Sequence, residues 1–96
     1  DQIEFGRLRY SVPGGAGPLG SDRDTRPLNT IVTAGSQPRP PASASVAVVP
    51  WTRNERSAVA GLKTTSYAEN VVALAHAKER GAISAVFANT RGELCE

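Results

Sequence analysis

The sequence has no methionine, a single cysteine (Cys95) and few aromatics: Phe5, Tyr10, Trp51, Tyr67 and Phe87, 5% of 96 residues. One cysteine excludes an internal disulfide framework and any zinc site built on several cysteines. It fits a reducing, cytoplasmic setting, which is the expected localisation. No window approaches the roughly 18 apolar residues of a membrane-crossing helix, so no membrane partner is expected. The first 30 residues show no basic segment followed by an apolar core. Lysine is nearly absent too, with only Lys63 and Lys78 among 11 basic residues. The arginines that make up the rest are scattered from Arg7 to Arg91, and the net charge is +2. A nucleic-acid surface gathers its cations on one face with interleaved aromatics. Nothing here does so, and the arginines read as a solvated surface with no nucleic-acid partner.

What is present falls into two halves. Leu8, Tyr10 and Val12 alternate with Arg7, Arg9 and Ser11, the period of a half-buried strand. A loop rich in Gly and Pro follows over 13–20. Its Gly14-Gly15-Ala16-Gly17 run lacks the Lys-Ser/Thr of a phosphate loop. Residues 29–34 are a second β-rich run, 35–44 a Pro-rich connector, and 45–50 a third strand that Pro50 is expected to stop. Residues 51–61 are polar and irregular.

The second half reads as helix and hairpin. Ser66 and Glu69 fit a capping box, and Tyr67, Val71, Leu74, Ala75 and Ala77/Lys78 follow at helical spacing as an apolar stripe. Gly81 stands where a helix ends. The expected helix is 66–80, followed by a strand over 83–88, a turn at 90–92 and a returning strand from 93 that has barely begun at Glu96. His76 falls on the polar helix face, where no metal role is expected. Cys95 is expected to be a packing residue whose side chain faces away from that of Glu96. Lys78 suits the negative end of the helix dipole. Position alone makes Lys63 an ordinary exposed lysine, with a partly desolvated, nucleophilic amine as the alternative.

Three runs carry a resemblance: Ala-Gly-Leu-Lys-Thr-Thr-Ser-Tyr-Ala-Glu-Asn-Val at 60–71, Ala-Lys-Glu-Arg-Gly-Ala at 77–82, and Phe-Ala-Asn-Thr-Arg-Gly-Glu-Leu-Cys-Glu at 87–96. Together they resemble the class IV aminotransferases, pyridoxal-phosphate enzymes of fold type IV. That family holds branched-chain aminotransferases, D-amino-acid aminotransferases and 4-amino-4-deoxychorismate lyases. Arg53-Asn54 and Leu62-Lys63 look most like the lyase.

The resemblance implies an α+β fold, a fragment of the family's larger domain, β-rich with a helix after the cofactor lysine. On that basis residues 1–50 hold strands and loops, 51–62 a connector, and 63–96 the cofactor segment. It further implies that both ends are truncated relative to the family, so that the 96 residues alone are expected to be inactive. Lys63 matches the lysine that holds pyridoxal 5'-phosphate and serves as the catalytic base. Glu96, 33 positions later (63 to 96), matches the glutamate at the pyridine nitrogen. Tyr67 looks like the tyrosine that reaches the cofactor's phenolic oxygen in aminotransferase members. Arg23 and Arg53 are substrate-binding candidates. The implied reaction converts 4-amino-4-deoxychorismate to 4-aminobenzoate and pyruvate in folate synthesis, with amino-acid transamination as the alternative. A separate possibility, from another class, is an inactive or basic binding module. The implied partners are a small-molecule substrate and a second copy in a homodimer.

Overall fold

A computed structural model of the chain describes residues 2–22 and 27–96. Arg23 lies outside the described residues. The chain forms two compact units, Asp1–Pro40 and Pro41–Glu96.

The first unit is a two-stranded antiparallel ribbon, β1 (Gly6–Ser11) and β2 (Ile31–Ser36), in the register Leu8 to Ala34 and Tyr10 to Val32. The hydrogen bonds Asn29 N–H to Pro13 C=O (3.2 Å) and Gln37 N–H to Phe5 C=O (3.1 Å) close its two ends. The alternating pattern did announce a strand, but its apolar face is not half-buried: Leu8 is 68% and Tyr10 70% exposed. Two strands have too little surface to cover one another's faces.

The second unit is a β–α–β crossover. Strand β3 (Val46–Arg53) pairs in parallel with β4 (Ser84–Asn89), and helix α1 (Ala68–Glu79) joins them and packs on both. Parallel neighbours need such a crossover, because a tight turn cannot reverse the chain twice. The core is Val49 of β3, Ala73 of α1 and Phe87 of β4, with Ala85 against it. No described helix is long and apolar enough to cross a membrane.

Pro50 does not stop β3. The register shifts between Val48, which pairs with Val86, and Thr52, which pairs with Ala88, so four steps along β3 match two along β4. Pro50 sits inside this irregular stretch, where its missing N–H removes no ladder bond. The strand therefore continues to Arg53, opposite Asn89.

The helix differs from expectation at its start and on its buried face. Tyr67 is the N-cap residue, Ser66 makes no cap hydrogen bond, and the first helical bond is Val71 N–H to Tyr67 C=O at 3.0 Å. The capping box fails because the Glu69 carboxylate is drawn to Arg53, 3.1 Å away. Ala77 of the expected stripe is fully buried, but so is Ala73, which lies off it, while Val71 is 64% exposed. Alanines on the sheet side let the helix sit close to the sheet, and the larger apolar residues are turned outward. The other end is as expected. Gly81 takes φ +74°, Gly81 N–H binds Lys78 C=O and Ala82 N–H binds Ala77 C=O, both at 3.0 Å. These two bonds are the Schellman closure, which requires a left-handed residue at that point.

Candidate active site

Lys63 lies in the crossover, at the end of successive tight turns. Ser57, Ala60 and Leu62 N–H groups bind the carbonyls of Asn54, Ser57 and Val59 at 3.1, 2.9 and 3.1 Å. Gly61, with φ +79°, supplies the left-handed step that turns the chain into Leu62 and Lys63. The Asn54 side chain accepts Arg56 N–H at 2.9 Å, an Asx turn that starts the series. Lys63 Nζ donates to Tyr67 Oη at 3.0 Å and stands 5.3 Å from the centre of that ring. Both side chains are exposed.

Glu96 arrives from the other end of the unit. Phe87 N–H binds Glu96 C=O at 2.7 Å, Cys95 N–H binds Phe87 C=O at 3.1 Å, and Ala88 pairs antiparallel with Leu94. The returning strand expected from 93 therefore lies along β4. Its turn is set by the buried Asn89, whose Oδ1 accepts Arg91 N–H and Glu93 N–H, each at 2.9 Å. The Glu55 carboxylate ties the 54–62 turns to this hairpin. It accepts Thr90 Oγ1–H at 2.6 Å and Thr90 N–H at 3.1 Å. Those two hydrogen bonds, with Arg91 nearby, hold the Glu55 carboxyl below its ordinary value. Arg91 and then Asn89 do the same for Glu93.

The Glu96 side chain is held at both oxygens. Asn70 Nδ2 donates to Oε1 at 3.0 Å, and Arg53 Nη2 is 3.2 Å from Oε2. Arg53 Nη2 also donates to Asn70 Oδ1 at 2.8 Å, and Nη1 meets Glu69 at 3.1 Å. The Arg53 guanidinium lies 4.6 Å above the centre of the Phe87 ring. Its Nε is buried without a hydrogen-bond partner among the described residues.

Lys63, Tyr67, Arg53, Asn70 and Glu96 all border one cleft of ≈ 740 Å³. The structure thus brings together four of the residues singled out from the sequence, Lys63, Tyr67, Glu96 and Arg53; Arg23 is the fifth and is not described. Cys95 departs from expectation. It is exposed and borders this cleft, with its Sγ 3.6 Å from the Phe87 carbonyl oxygen. His76 packs edge-on against Trp51, ring centres 5.1 Å apart, and no group of metal-ligating side chains occurs among the described residues.

Sequence reasoning missed Asn70, and gave Glu69 a capping role where it is the ion-pair partner of Arg53. The usable signal was Asn70, Ala73 and Ala77 at i, i+3 and i+7, a face of small residues with one amide at its leading end.

The donor set fits pyridoxal phosphate. One primary amine suits its aldehyde, and one carboxylate, with lone pairs left after its two partners, suits a protonated ring nitrogen. The family model for class IV aminotransferases matches residues 1–96. No curated protein and no solved structure shows a significant match. With its whole length matched, the chain belongs to the class IV aminotransferases, a family of pyridoxal-phosphate-dependent enzymes.

Proposed function

We propose that the protein is a 4-amino-4-deoxychorismate lyase, forming 4-aminobenzoate and pyruvate for folate synthesis. The observation that carries a cofactor-dependent reaction is the shared cleft of the Lys63 amine and the Glu96 carboxylate. The choice of the lyase rests on the likeness of Arg53-Asn54 and Leu62-Lys63 to that branch of the family.

When bound, pyridoxal phosphate supplies an electron sink for the pair released at the substrate's amine-bearing carbon. Lys63 would hold the cofactor through its amine and move the proton at that carbon. Glu96 would keep a proton on the ring nitrogen. Tyr67 fixes the Lys63 amine from one side by the 3.0 Å hydrogen bond. The reaction balances without an acceptor: the carbon loses its proton, the ring-to-oxygen bond of the enolpyruvyl group breaks, and a proton returns to that group as it becomes pyruvate. The ring left behind is aromatic.

The test is to supply the full-length protein with 4-amino-4-deoxychorismate and no keto acid, and to measure pyruvate. Stoichiometric pyruvate, absent in Lys63→Ala, is the expected result. One observation favours a second reading. Tyr67 stands where the resemblance puts a tyrosine in aminotransferase members, and its hydroxyl is on Lys63. Turnover of a branched-chain or D-amino acid that depends on added keto acid would select that reading. A homodimer in the cytoplasm belongs to the same proposal, with sedimentation as its check.

A further inference from the structure

The cleft contains one carboxylate that is held more elaborately than binding alone requires. Glu96 is exposed, yet each of its oxygens has its own partner, Asn70 by a hydrogen bond and Arg53 by an ion pair, and the two partners are joined to one another. An Asn amide has no preferred face in isolation. Here Arg53 Nη2 takes the Asn70 carbonyl at 2.8 Å, which leaves the Asn70 NH₂ facing Glu96. The Arg53 plane is itself set by three constraints: its backbone at the end of β3, the Phe87 ring beneath it and Glu69 on its other amino group.

The charges in this group do not cancel. Arg53 brings one positive charge against the two carboxylates of Glu69 and Glu96, so one negative charge is left over. Glu96 Oε1 accepts one hydrogen bond, from Asn70, and Oε2 is ion-paired with Arg53, so both oxygens keep lone-pair capacity. A carboxylate fixed in this way is preorganised for a small cationic N–H donor entering the cleft.

We propose that Arg53 and Asn70 are positioning residues that act on the cofactor's ring nitrogen through Glu96. This rests on the reading of Glu96 as the partner of that nitrogen. Lysine cannot substitute for arginine in this role. A single ammonium is a point donor and cannot span Glu69, Asn70 and Glu96 while lying flat on Phe87.

Two probes test it, both measured by binding to the cofactor-free protein. One is pyridoxal phosphate. The other is its carbocyclic analogue, with C–H in place of the ring nitrogen. Arg53→Gln and Asn70→Leu are expected to weaken pyridoxal phosphate by about tenfold or more. The same variants are expected to bind the analogue within about twofold of wild type, since it offers Glu96 nothing to hold. Arg53→Lys is expected to behave like Arg53→Gln rather than to rescue. Equal weakening of both probes would overturn the inference. So would a raised KM with unchanged pyridoxal-phosphate affinity, which would place Arg53 on the substrate. If Arg53→Gln does not fold by circular dichroism, the two-probe comparison on Asn70→Leu alone decides the outcome. Glu96→Gln separates the two levels. If it weakens both probes equally, the reading of Glu96 itself fails. If it discriminates between them while Arg53→Gln and Asn70→Leu do not, only the positioning roles fail.

Discussion

Lys63 and Tyr67 form the simplest pair in the cleft, one amine on one phenol. Removing only the hydroxyl, in Tyr67→Phe, leaves the ring and its contact with the amine in place. The loss is then that of one hydrogen bond to a charged or reacting group, about 1.5–3 kcal/mol. Steady-state kinetics are expected to show kcat lowered by roughly ten- to a hundredfold. Lys63→Ala goes further. Borohydride treatment of the cofactor-loaded protein is expected to add the cofactor's mass to wild type and nothing to the variant. Lys63 was legible in the sequence because a family resemblance named it. Asn70 was not, because an asparagine inside a helix looks like a surface residue until the sheet on the other side of it is known. Arg53 was legible as a candidate, but its engagement by Glu69, Asn70 and Glu96 depends on contacts across 16 to 43 positions (53 to 69 and 53 to 96) that no local pattern records.

At the scale of elements, the two ends of α1 make opposite statements about local signals. Ser66 and Glu69 have the letters of a capping box, yet Ser66 caps nothing. Ser66→Ala is therefore expected to change stability by under about 0.5 kcal/mol, where a working cap would lose about 1 kcal/mol. Gly81 is the reverse. Its φ of +74° is used in the Schellman closure, so Gly81→Ala is expected to cost about 1 kcal/mol in thermal denaturation. Helix ends can be read locally when the backbone itself demands one residue type. They cannot when the same side chain has a better partner elsewhere, as Glu69 has in Arg53. In the hairpin, Glu55 and Glu93 are both held below the ordinary carboxylate range by their hydrogen bonds to Thr90, Arg91 and Asn89. A depressed native value means that ionised Glu55 and Glu93 favour the folded turn. Their contribution is present at neutral pH and is lost as pH falls through the lowered values. Carbon-13 titration of the two carboxyls is expected to give midpoints below the 4.5 of an ordinary glutamate. Glu55→Gln is expected to flatten the acid limb of the stability profile.

For the molecule as a whole, strand positions were legible and strand partners were not. Alternation located β1, and an apolar run located β3 and β4, because each is a property of a few neighbours in sequence. That β3 and β4 run parallel, with the register shift at Pro50, is settled only by packing of the helix between them. The exposed faces of β1 and β2 show the same limit: period two announces a face that seeks cover, not where the cover is.

The parallel pairing also has a history in time. Ser45 and Ile83, hydrogen-bonded at the mouth of the crossover, are 38 positions apart. At about 5–20 residues per second of synthesis, β3 emerges roughly two to eight seconds before β4 can join it. Throughout that interval Val46 and Val48 sit on an unpaired strand, and Lys63 has been made before Glu96 exists. Amine and carboxylate become a site only when the last strand closes. Trp51, the single tryptophan, lies on β3 against His76. In refolding experiments its fluorescence is expected to change in the same kinetic phase in which the protein first becomes able to take up pyridoxal phosphate.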